Sequence, residues 1–215
     1  MRGRVLPPNV SRRVAQRKPK FSVTIVCEGK KTEPYYFEAF ANEYGNMLVS
    51  VTVVPGAGVP MSVVDAAIRL RNSKTRKKKN SFEEADEVWA VFDCDEHPKI
   101  KEATNKARSK SVNVAYSNPC FELWALLHIQ DHDAPIHRHD LQKLLKEIME
   151  GYDPQRGKGL NYSIMKAQYE TACKRAERMA QRRVDEGNEH GNPFTDVYKL
   201  TEKIVANGKK LASKR

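Results

Sequence analysis

The sequence predicts an α/β fold: a mostly parallel sheet flanked by helices, followed by a C-terminal helical extension. Three observations carry that expectation. Through the first 133 residues, short runs rich in β-branched residues alternate with stretches of helical composition, the order that builds parallel strands covered on both faces. Glycine, proline and cap-type residues punctuate the junctions. Beyond Asp133 the strand-like runs stop and only helical stretches follow.

Residues 1–20 mix basic residues with Pro7, Pro8 and Pro19, carry little hydrophobic periodicity and read as a flexible basic arm. "FSVTIVC" at 21–27 is the first strand, because a strand buried on both faces reads as a near-continuous apolar run. "EGKK" then turns the chain into "TEPYYFEAFANEYG", a helix with Thr32 as N-cap, Pro34 in the first turn and Gly45 as the stop. "MLVSVTVVP" is a second strand, "GAGVP" a loop, and about 61–76 a helix. "DEVWAVFD" is the third strand and "HPKIKEATNKARSK" the helix after it. "VNVAYS" is a short fourth strand, and "NPCFELWALLHIQ" an apolar, mostly buried helix capped by Asn118 and Pro119. Helices at about 138–150, 162–186 and 195–207 complete the chain, the last capped by Thr195 or Asp196. The divisions are an arm at 1–20, an α/β core at 21–134 and a helical extension at 135–215 packed on that core. No linker marks a boundary near residue 134, and no internal repeat is present.

Length and composition narrow the function classes. A chain of 215 residues buries one core of ordinary size. No apolar run approaches the ~20 residues needed to span a bilayer, and the N-terminus lacks the apolar core of a secretory signal. The expectation is a soluble, cytoplasmic protein. Cys27, Cys94, Cys120 and Cys173 are widely spaced with no CxxC pair, which indicates reduced thiols rather than a disulfide framework or zinc ribbon. Net charge is +11, concentrated in the arm, in "KTRKKK" at 74–79 and in the terminal "KKLASKR". Such clusters displace counterions from phosphate backbones, so nucleic acid is the natural partner, although charge runs also serve as solvated faces.

The chemistry lies in carboxylates. Glu28 follows the first strand, and "VWAVFDCDEHP" places Asp93 and Asp95 at the carboxyl end of the third. A spacing of two in an extended chain points both side chains to one side. In an open α/β sheet, ligands bind beyond the carboxyl ends of the strands. If the two strands are neighbours, three carboxylates converge there. They would repel one another and raise their pKa values unless a cation neutralised them. Hard oxygen donors suit Mg²⁺ or Mn²⁺, which polarise phosphoryl oxygens and activate water. The competing explanation is that Asp93, Asp95 and Glu96 cap the following helix, since a lone DxD has little specificity.

The elements "EGKKTE" and "DCDEH" resemble the Toprim-type site of primases, topoisomerases and overcoming-lysogenization-defect nucleases. More closely, "VCEGKKTEPYYFEAF", "VWAVFDCDEH", "SNPCFELWALLH" and "NPFTDVYKL" together resemble the RloB-like family, associated with bacterial restriction and abortive-infection loci. These matches run from about residue 22 to 200. The resemblance implies a Toprim-like nuclease core with Glu28 as acid/base or metal ligand, Asp93 and Asp95 as metal ligands, and Mg²⁺ or Mn²⁺ as cofactor. By the same resemblance, Ser117 and Glu122 in "SNPCFE" fall where nuclease relatives complete a two-metal site, although the spacing differs and Glu122 falls within the predicted helix. It also implies a partner ATPase and a role in anti-phage defence.

Other residues carry weaker signals. Lys30 and Lys31 sit where a helix N-terminus favours anions and are candidates to meet a scissile phosphate. Glu33 reads first as a helix-dipole residue and second as support for the site. Arg156 and Lys158, in "GYDPQRGKGLNY", are candidates to touch a nucleic-acid backbone, but the loop lacks Walker A spacing. His128 and His132 lack the pattern of a zinc site and read as ordinary surface or loop histidines. Trp89, Phe92, Phe121 and Trp124 read as core. Asn192 and Pro193 belong to the family-like signature without a role the residues explain. Two alternatives stay open beside a nuclease: a noncatalytic Toprim-like module that binds nucleic acid or protein beside a partner, and a metal-dependent nucleotidyl transferase.

Overall fold

The computed structural model describes residues 21–45, 49–56, 58–77, 86–94, 99–156 and 159–212. The basic arm at 1–20, Asp95 and Lys158 lie outside the described residues. The chain alternates as expected through β1 (Phe21–Cys27), α1 (Thr32–Tyr44), β2 (Val49–Val54), α2 (Pro60–Lys77), β3 (Asp86–Asp93), α3 (Ile100–Ser109) and β4 (Asn113–Asn118). There follow α4 (Glu122–Ile129), α5 (Arg138–Ile148), α6 (Tyr162–Ala167), α7 (Tyr169–Asp185), β5 (Phe194–Thr195) and α8 (Val197–Ala212). The result is a mixed α/β fold whose sheet runs in the order β2-β1-β3-β4-β5, parallel except for the antiparallel β5.

Side-chain alternation along the strands separates two faces. Phe21, Val23, Ile25 and Cys27 of β1 and Trp89 and Val91 of β3 join α1, α4 and the helices after Asp133 in one hydrophobic cluster. Val26, Val88, Ala90, Phe92 and Tyr116 face the other way, against Val63, Val64 and Ala67 of α2 and Ala103 and Ala107 of α3. Full burial on both faces explains why these strands read as continuous apolar runs. The first cluster includes Leu141 and Leu145 of α5, Met165 of α6, Tyr169 and Ala176 of α7 and Leu200 and Ile204 of α8. The C-terminal helices therefore share one core with the sheet. None of the helices among the described residues is long and apolar enough to cross a membrane.

Several expectations about the elements need correction. The sequence shows no strand beyond Asp133, yet β5 adds to the sheet edge through Ser117↔Thr195 and Asn118↔Phe194. Two residues are too few for any periodicity to show. The single helix expected at 162–186 is two, separated at Gln168, whose N–H donates to the Met165 carbonyl. Thr195 and Asp196 precede α8 but are tied into the sheet as well: Thr195 Oγ1 meets Ser117 Oγ at 3.0 Å, and Asp196 Oδ1 accepts the Tyr116 N–H at 2.7 Å. Thr32 is not a cap. Lys31 occupies that position without a side-chain bond, and Thr32 is buried as the first helical residue. Asn118 and Pro119 do not cap α4 either, because the Asn118 amide donates to the His190 carbonyl at 3.0 Å and the helix starts only at Glu122. His128 is no surface histidine. It is buried in α4, with Nδ1 2.8 Å from the Trp124 carbonyl oxygen, and burial lowers its pKa to about 4.

Candidate metal centre

The strand order places β1 between β2 and β3, so the connections diverge at the β1/β3 boundary. That boundary is the topological switch point, where an open α/β sheet leaves a crevice beyond its strand ends. The β1/β3 ladder continues one residue past β1, with the Glu28 N–H donating to the Val91 carbonyl at 3.0 Å. Glu28 thereby comes to lie beside the end of β3, and its Oε2 accepts the backbone N–H of Asp93 at 3.1 Å. Asp93 falls on the same sheet face as Trp89 and Val91, the face that carries α1 and α4.

A cavity of about 320 Å³ opens at this point, lined by Glu28, Glu33, Asp93 and Glu122 together with Lys30, Lys31 and Arg138. Three helices begin around it: α1 just after Lys31, α4 at Glu122 and α5 at Arg138. Their positive N-terminal ends help hold carboxylates together here. Even so, the Asp93 carboxyl is pushed well above the usual carboxylate range. Burial is the main cause, followed by the charges of Glu33, Glu122 and Glu28, while the backbone N–H of Phe121 acts in the opposite sense.

Glu33 and Glu122 are shaped by their own surroundings. Glu33 is buried in the first turn of α1, and its Oε1 accepts the Gly29 N–H at 3.1 Å. It thus ties the turn after Glu28 to the helix. Glu122 is 1% exposed. Its Oε1 accepts from the Tyr152 hydroxyl at 3.1 Å and from the Gln142 amide at 3.5 Å. Burial, then Glu122, raises the Tyr152 hydroxyl's pKa, and burial, then Glu122 and Asp93, raises that of the Cys120 thiol.

The donors around Asp93 are hard oxygens, and a bound cation would relieve the burial and carboxylate repulsion that raise its pKa, which suits Mg²⁺ or Mn²⁺. No group of three or more His, Cys, Asp or Glu among the described residues is arranged to cage an ion. Asp95, the third ligand expected from the sequence, is outside them.

Of the sequence candidates, the structure brings together Glu28, Asp93, Glu122, Lys30 and Lys31. It does not bring Arg156 to them, since that residue is exposed in the turn after Asp153 and is not among the cavity's lining residues. Ser117 is buried against Thr195 rather than lining the cavity. Sequence reasoning ranked Glu33 as a helix-dipole residue, and it missed Arg138, Gln142 and Tyr152. The placement of Glu33 four residues after Gly29 is the one local signal available. Arg138, Gln142 and Tyr152 arrive through tertiary packing that one sequence does not display.

The chain matches a family model described as RloB-like protein over residues 23–204. Neither the comparison with curated proteins nor the comparison with solved structures gave a match.

Proposed function

The chain belongs to the RloB-like family, and on that premise we propose that it is a divalent-metal-dependent nuclease hydrolysing phosphodiester bonds in nucleic acid, in bacterial anti-phage defence. The observation that carries the proposal is the carboxylate pocket at the β1/β3 switch point, where Glu28 is bonded to the Asp93 backbone and Asp93 is crowded by Glu33 and Glu122. Glu28 and Asp93 would hold Mg²⁺ or Mn²⁺, which when bound supplies Lewis-acid polarisation of a phosphoryl oxygen and a nucleophile at neutral pH. Glu28 also stands as a candidate acid/base. Lys30 and Lys31, at the N-terminus of α1, receive the anionic substrate where helix N–H groups favour phosphate. Glu122, fixed by Tyr152 and Gln142, lines the same pocket as Asp93. A partner ATPase as regulator belongs to the same reading.

One observation favours the second reading, a noncatalytic nucleic-acid or protein-binding module. Glu28, Glu33 and Glu122 all accept hydrogen bonds from their own chain, so each already has a structural task. Cleavage separates the two readings. Purified protein is incubated with labelled DNA and RNA in Mg²⁺, Mn²⁺ or EDTA, beside Asp93→Ala and Glu28→Ala. The nuclease reading expects cleavage that requires metal and drops to background in both variants. Cleavage surviving in both removes the site. Its absence from the wild type and from a reconstituted ATPase pair supports the module.

A further inference from the structure

A second depression is larger than the acidic pocket. A groove of about 1200 Å³ runs between α3, β4 and the turn at 187–191. Cys94 lines it, one residue past Asp93. Consecutive Cα atoms are only ~3.8 Å apart, so groove and acidic pocket flank the same end of β3. Exposed Lys101 and Arg108 come from α3 and Lys199 from α8, and Asn105 and Asn188 also line the groove. Among the described residues, two acids also line the groove. Asp196 is buried, holds the Tyr116 N–H and lies 3.7 Å from Lys199 Nζ, which leaves Glu189 as the exposed acid among the described lining residues.

His190 gives the groove an aromatic element. Its ring stands almost perpendicular to Tyr116 and Phe194, at centroid distances of 5.7 Å and 4.7 Å. Its backbone has φ 72, a left-handed conformation uncommon outside glycine, and its carbonyl accepts from the Asn118 amide. Tyr116 and Phe194 are buried beneath it, whereas His190 is only partly covered. The ring is thus pinned in place with surface to offer.

We propose that this groove holds a single-stranded segment of nucleic acid, with phosphates on Lys101 and Arg108 and an unpaired base against the His190 ring. Cationic side chains beside a fixed aromatic ring are what sequence-tolerant single-strand binding uses. The groove is concave, and base faces are accessible for stacking only when unpaired. The inference rests on the nuclease reading for where the strand leads, namely over the end of β3 to Asp93, but not for its binding in the groove.

The test is fluorescence anisotropy on the full chain in EDTA, across a salt series. The probes are a 12-nucleotide single strand, as DNA and as RNA, and the duplex of the same sequence. The double variant Lys101→Gln/Arg108→Gln is expected to lower the salt slope by about 1.4, at ~0.7 per lost phosphate contact on a single strand. His190→Ala is expected to weaken binding by about tenfold, and His190→Phe to restore it, which separates stacking from any effect on the turn. Lys174→Gln, exposed on α7, is expected to bind as the wild type does. Groove variants that bind like the wild type overturn the proposal, as does a wild type that binds no single strand. Equal affinity for duplex, with the same losses, overturns it too. The outcome is separable from the nuclease reading. Lost binding in groove variants of a protein that never cleaves removes only that reading, and Asp93-dependent cleavage with unaffected binding removes only the groove.

Discussion

Asn192 offers a sharp test of how the C-terminal segment positions the site. Its Oδ1 accepts the Ile136 N–H at 3.1 Å and its Nδ2 donates to the Ile136 carbonyl at 2.8 Å. Its own carbonyl accepts from Arg183 at 3.4 Å, and Arg183, 5% exposed, is paired with Asp133 and Glu186. The amide therefore clamps the segment entering α5 two residues before Arg138, which lines the acidic pocket. Asn192→Ala removes both side-chain bonds. At about 1 kcal/mol net for each, with water able to reach this partly buried site, the loss is about 2 kcal/mol. For a chain of this size that lowers Tm by about 4–8 °C. Asn192→Asp retains the bond from Ile136 N–H but sets a carboxylate against the Ile136 carbonyl, so it costs at least as much. Urea unfolding followed by tryptophan fluorescence reads the result as a lower midpoint at unchanged slope. An Asn192→Ala protein within about 0.5 kcal/mol of the wild type, the ordinary range for surface changes, would refute the clamp.

Two further outcomes follow from the same physics. The buried His128 titrates at about 4 against an ordinary 6.5, so the folded chain binds fewer protons than the unfolded chain between those values. Its contribution to stability is full above pH 6.5 and falls by about 3 kcal/mol as pH drops through 4. His128→Phe is expected to flatten that part of the stability profile, and an unchanged acid limb counts against the assignment. At Gly29, an added Cβ would overlap the Glu33 carboxylate, the far end of a flexible side chain. Gly29→Ala is therefore expected to cost about 1–3 kcal/mol in urea unfolding while lowering metal-dependent cleavage of the folded protein by at least tenfold. Full cleavage in that variant removes Glu33 from the account.

The parallel core was readable because strands buried on both faces leave unbroken apolar runs, and glycine and proline mark the turns between them. The proximity of Glu28 and Asp93 needed one fact the sequence does not hold, the adjacency of β1 and β3. Once that is known, the end-of-strand positions of both residues follow from chain order. The caps failed for a different reason. Thr32 and Asn118 have cap chemistry, but burial claimed one and the His190 carbonyl the other. His128 has the composition of a surface residue, yet it belongs to a helix whose described flanks are covered by α1, α6 and α7 residues such as Tyr36, Tyr162 and Tyr169. Asn192 shows the converse: its place in a recurring signature was visible, whereas its reason, the two bonds to Ile136, required the folded chain.

The central claim is that Glu28 and Asp93 bind a divalent cation. The most direct measurement is a crystal structure of the full chain grown with saturating Mn²⁺, with the ion located by its anomalous signal. The account predicts a peak in the switch-point pocket, within ~2.0–2.6 Å of carboxylate oxygens of Glu28 and Asp93, bond lengths typical of hard divalent cations. A pocket whose carboxylates bind no ion at saturation, or a Mn²⁺ site that involves neither residue, contradicts it.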